Sequence, residues 1–92
     1  MMKHLLAVVM DGIKDAEMIA GYAEEAKKHG ADRTIINWFT VRAQNRLSMA
    51  EKDWHDVREE IKEDKHDEEM MEALECHVDR SLDNLRARVM KL

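Results

Sequence analysis

Proline is absent from this chain, glycine occurs three times, cysteine once, and only four residues are aromatic. Without proline, and with so few glycines, there are few places where a sheet could turn, and the scarcity of aromatics argues against a β-sandwich. Cys76 has no second cysteine to pair with, so an internal disulfide is excluded. One thiol is not a zinc framework either, and a reducing, cytoplasmic setting is expected. Long apolar runs are missing too. Leu5 to Met10 is closed after six residues by Asp11, far short of the roughly 20 that a spanning helix needs, and no small-residue cleavage motif follows it.

What remains is a 92-residue chain in which 38% of residues are charged and Leu, Ile, Val, Ala and Met are frequent, enough for one modest core and one domain over 1–92. The net charge of −5 is unevenly spread. Residues 51–75 hold twelve Asp or Glu against Lys52, Arg58, Lys62 and Lys65, while the flanking stretches are slightly basic. Such a surface repels phosphates and anionic lipid, so direct nucleic-acid or membrane binding is not expected. A basic protein surface is its natural complement.

Apolar residues recur at steps of three and four in three segments, the signature of helices with one buried face. The first stripe is Met2, Leu6, Val9, Ile13, Ala16, Ala20 and Ala23, ended by Gly30 after Lys27, Lys28 and His29. Gly12 and Gly21 fall inside it and read as places where a neighbouring helix comes close. Asp32 or Thr34 can cap the second segment, whose stripe is Ile36, Thr40, Ala43, Leu47, Ala50, Trp54, Val57 and Ile61. The third follows Asp67 and reads Met71, Leu74, Val78, Leu82, Leu85, Val89 and Leu92. The expected fold is all-α, an antiparallel up-down-up three-helix bundle with helices at about 2–29, 33–63 and 67–91, with self-association as a further way to complete it. Residues 62–67 contain neither glycine nor proline, so the alternative is one helix running on from about residue 33, which would need a second copy to bury its stripes.

Chemistry is hard to place on these helices. Metal sites in bundles use a Glu-x-x-His step facing inward, and none is present. Glu51 and His55 share a face but flank charged neighbours and read as solvated. Cys76 and His77 diverge by about 100° on one helix, and Cys76 reads as a small, semi-buried apolar residue. Asp15 and Glu75 lie beside the stripes, where ion pairs with Arg42 or Arg46 are expected. No nucleophile–base order and no phosphate-cradling loop can be drawn, so neither an enzymatic role nor a cofactor is expected.

Apolar residues left over from the stripes say more. Met10, Met18, Ile35, Trp38, Met49, Met70 and Met90 fall at or beyond their margins, and an exposed tryptophan among methionines suits a protein interface. The expected protein-binding residues are Trp38, Ile35, Met49, Met10 and Met18, together with Glu59, Glu60, Glu63 and Asp64 of the acidic turn.

The stretch Asp15-Ala16-Glu17-Met18-Ile19-Ala20-Gly21-Tyr22-Ala23, the run Arg46-Leu47-Ser48-Met49-Ala50-Glu51 followed by Trp54-His55-Asp56, and the opening Glu68-Glu69-Met70-Met71 resemble small phage- and prophage-encoded helical proteins of the ferritin-like, rubrerythrin-like type. The resemblance runs from about residue 11 to the end. In metal-binding members the second helix carries Glu-x-x-His. Here those positions fall near Arg46 or Leu47 and near Met49 or Ala50, so a diiron centre is not implied. The resemblance implies a helical-bundle fold and a phage-type protein that occupies a host or phage protein, including defence proteins. The other readings of the sequence are a self-assembling homo-oligomeric bundle and a degenerate ferritin-like metal-binding protein.

Overall fold

A computed structural model describes the backbone of residues 2–63 and 68–92 and the side chains of residues 6–60 and 72–92. Three helices carry the described chain: α1, Met2–Lys28; α2, Arg33–Glu63; and α3, Glu68–Met90. Among the described residues there is no strand. The boundaries match those expected from the stripes to within a residue or two.

The first connection is built by two local devices. Gly30 sits at φ 71°, the Ala31 amide donates to the Ala26 carbonyl at 2.9 Å, and the Gly30 amide donates to the Lys27 carbonyl at 3.2 Å, the paired bonds of a glycine-terminated helix. Asp32 then opens α2. Its carboxylate accepts from the Thr34 amide at 3.4 Å, and its carbonyl receives the first helical bond from Ile36. Of the two expected caps, Asp32 is the one used. The second connection, residues 64–67, lies outside the described residues, as does Asp64 of the acidic turn. The chain nevertheless folds back on itself. One straight helix from residue 33 to 90 would be about 87 Å long at ~1.5 Å per residue, whereas the longest dimension of the molecule is 51 Å.

Contacts between helices give the directions. Asp15 pairs with Arg46 and Tyr22 meets Phe39, so α1 and α2 are antiparallel. Trp54 reaches Asp79 and Glu51 reaches Arg86, so α2 and α3 are antiparallel as well. Glu24 with Arg88, and Lys27 with the Lys91 carbonyl, align α1 and α3 in parallel. This is the expected up-down-up bundle.

The core is the expected set of stripes wherever side chains are described. Val9, Ile13, Ala16 and Ala20 of α1 pack with Ala43, Leu47, Ala50, Trp54 and Val57 of α2 and with Val78, Leu82, Leu85 and Val89 of α3. Thr40 is half-buried, and its hydroxyl donates to the Ile36 carbonyl at 2.8 Å, so it sits on the stripe without stranding a polar group.

The glycines differ from expectation. A Cβ on Gly12 would meet the Ala50 methyl at 3.5 Å and one on Gly21 would meet the Arg88 guanidinium at 3.9 Å, both ordinary contact distances. Neither glycine is required by a close helix approach. Gly12→Ala and Gly21→Ala should therefore each raise stability by roughly 0.5–1 kcal/mol through reduced backbone entropy in the unfolded chain. Gly30→Ala, forced into a left-handed conformation, should lower it by roughly 1 kcal/mol. Urea midpoints of the three variants check the signs.

Candidate interaction face

Because residues seven apart lie on nearly the same line of a helix, each helix of the α1/α2 pair shows two edges. On α1, Met10, Glu17 and Glu24 form one edge, and Glu24 carries it to α3 through Arg88. Asp15, Met18 and Tyr22 form the other, where Asp15 and Tyr22 meet Arg46 and Phe39 of α2. On α2, Glu51 and Arg58 face α3, pairing with Arg86 and Glu75, while Phe39 and Arg46 lie toward the outer edge of α1. Thus α3 fills one groove of the α1/α2 pair. The opposite groove has no helix over it among the described residues.

That open side holds a chain of three aromatic rings in tilted and edge-to-face contact. Phe39 is tilted against Tyr22 with centroids 5.9 Å apart and receives the edge of Trp38 at 5.0 Å and 81°. The Arg42 guanidinium lies over the Trp38 ring, 3.9 Å from its centroid. One indole is thereby fixed from two sides while 52% of the residue stays in water. Met18, Tyr22, Ile35, Val41 and Met49 are each about half exposed around it. Arg46 ties the middle of the face, pairing with Asp15 and reaching toward the Met49 sulfur at 4.0 Å. Together these side chains gather exposed apolar surface on one side of the molecule.

Of the residues expected to bind a partner, Trp38, Ile35, Met18 and Met49 are each about half exposed. Met10 is half-buried against the core, because its edge of α1 is the one that α3 covers. Glu59 is exposed and engaged in an interaction of its own, and Glu60 is half-buried. The Glu63 side chain lies outside the described residues, so the acidic turn is only partly described. Tyr22, Val41 and Phe39 are members of the face that the stripes did not reveal. Their signal was a second periodicity, Met18–Tyr22 and Trp38–Val41, at the same steps of four and three that mark the core.

The remaining polar clusters close on themselves. Between α2 and α3, the Trp54 indole N–H donates to Asp79 at 2.9 Å, and Arg86 pairs with Asp83 at 2.8 Å and Glu51 at 3.3 Å. Glu75 pairs with Arg58 at 4.0 Å, and not with Arg42 or Arg46, since it faces the α3 side of α2. At the far end, Arg88 grips Glu24 with two bonds of 2.7 and 3.2 Å, and this hydrogen bonding holds the Glu24 carboxyl below the usual carboxylate range. Cys76 is exposed, contrary to the semi-buried position expected, because it projects one step outside the Val78 stripe. Among the described residues no three His, Cys, Asp or Glu side chains are grouped to hold a metal ion. Leu47 and Ala50 are core residues, Arg46 is ion-paired and Met49 is about half exposed. No described helix is long and apolar enough to cross a membrane.

Compared with known proteins, the chain matches no family model, no curated protein and no solved structure.

Proposed function

We propose that this chain is a non-enzymatic protein-binding module that docks through the outer α1/α2 face centred on Trp38. The observation that carries the reading is the fixed, half-exposed indole between Phe39 and Arg42. A rigid aromatic anchor surrendering little conformational entropy on docking is the kind of residue that dominates binding energies. Methionines beside it adapt to the surface they meet. A phage-type protein occupying a host or phage protein is the narrower form of the same proposal, taken from the resemblance above.

Capture from source-cell lysate tests it, with wild type and Trp38→Ala side by side at low and high salt. The partner should survive high salt, since apolar contacts are not screened. It should be lost with Trp38→Ala, which is expected to weaken binding by about 2 kcal/mol or more. A partner released by salt alone and indifferent to Trp38 would move the docking site to the acidic residues 51–60. No partner at either salt would overturn the proposal.

A further inference from the structure

The two grooves of the α1/α2 pair differ in charge as well as in cover. On the covered side the flanking charges are answered: Glu24 by Arg88, Glu51 by Arg86 and Arg58 by Glu75. On the open side, around Trp38, they are not. From Arg33 to Ala50, α2 carries three arginines and no Asp or Glu. The nearby carboxylates are already engaged, Asp15 with Arg46, Glu25 with His29, and Asp32 as the cap of α2. Among the described residues, Arg42 contacts the Trp38 ring and no carboxylate, and Arg33 pairs with none. Acids return at Glu51, Asp53 and Asp56, beside Lys52, so the uncompensated positive charge is confined to the level of Trp38.

Arg42 is held ready for an acid. Stacking on the indole occupies a flat face of its guanidinium and leaves the N–H groups on the rim, a fork that matches a carboxylate. Asn45 is exposed one turn further on, and with Trp38, Val41 and Arg42 it borders a shallow depression of about 580 Å³ that an anchoring side chain can enter. The shape of the occupant follows from the other groove, where the same two helices accept α3 by its aliphatic line. The apolar stretch from Ile35 to Met49 is about 21 Å long at ~1.5 Å per residue, or about four helical turns. Resting on the reading of this face as a docking surface, we infer that its occupant is an acidic amphipathic helix of a partner protein, which lays its apolar side chains between Ile35 and Met49 and sets a carboxylate on Arg42. A helix that short is marginal in water by itself, so it is either part of a folded partner or is ordered on docking.

Selection from a displayed library of amphipathic helical peptides about five turns long tests this, with the full chain as bait and the positions flanking each apolar line drawn evenly from Glu, Lys and Gln. Clones held by the wild type and released by Trp38→Ala should be rich in Glu at the flanking positions. Synthetic peptides made from them should bind Arg42→Glu about tenfold or more weakly than the wild type. Exchanging the peptide's Glu for Lys should weaken binding to the wild type and restore it to Arg42→Glu. Circular dichroism confirms that each variant is folded. Trp38-dependent clones without enrichment in Glu, peptides indifferent to Arg42→Glu, or no Trp38-dependent clone at all would each overturn the inference. So would self-association in sedimentation equilibrium that Trp38→Ala abolishes, since a second copy would then be the occupant. In every such case, Trp38-dependent capture of a foreign protein from lysate leaves the binding-module reading standing, and its absence removes that reading too.

Discussion

Replacing Trp54 by alanine is expected to destabilise the fold by about 3–5 kcal/mol, the range for emptying a large aromatic site in a core. The total stability of a domain this size is only about 5–15 kcal/mol, so the variant should be close to unfolding at ambient temperature. The size of the effect comes from position. Trp54 is 3% exposed and lies in the α2 stripe between Ala50 and Val57, where neighbours are small and cannot collapse into the space. It also spans to α3, donating its indole N–H to Asp79. Trp54→Phe separates the two contributions: it keeps most of the packing and removes the hydrogen bond, and should cost about 1–2 kcal/mol. Urea unfolding followed by circular dichroism reads both. Were Trp54→Phe as damaging as Trp54→Ala, the polar link to Asp79 and not the packing would be what holds this end of the bundle.

The second large effect is expected at Leu85. It is 1% exposed, and with Val78, Leu82 and Val89 it forms the aliphatic edge by which α3 enters its groove. Leu85→Ala should cost about 2–5 kcal/mol through lost burial and the cavity left behind. The ion pairs around α3 cannot substitute for it. Arg88 with Glu24 and Arg86 with Glu51 are each more than a third exposed, where such pairs contribute about 0–1 kcal/mol. Arg88→Ala should therefore be the milder change by a wide margin, although its geometry is the better ordered. The same denaturation experiment ranks the two. A larger loss from Arg88→Ala than from Leu85→Ala would mean that charge, and not aliphatic burial, holds α3 in place.

Periodicity made the helices and their buried lines legible, because a three-four repeat fixes the azimuth at which each helix meets apolar surroundings. Periodicity does not say which neighbour stands on which edge. Met10 and Met18 both lie off the α1 stripe, yet one is packed and the other half in water, because α3 entered on the side of Met10 and left the side of Met18 open. Glu75 pairs with Arg58 and not with Arg42 or Arg46 for the same reason: Arg58 and Arg46 lie on opposite edges of α2, and only the placement of α3 distinguishes them. Gly12 shows a second limit. A glycine on a helix face looks the same in sequence whether the neighbouring backbone is in contact or, as here, far enough away to admit a methyl group. Trp38 is legible in the sequence as an apolar residue off the core stripe, but its contacts with Phe39 and Arg42 are not, since they depend on the rotamers the three side chains adopt.

The two tryptophans of the chain sit in opposite surroundings, Trp54 sealed in the core and Trp38 open to solvent on the outer face. Their emission consequently divides the life of the molecule into two optical channels. The shielded indole reports the integrity of the bundle, and the wetted one reports the surroundings of the outer face. Variants that keep a single tryptophan separate the two signals.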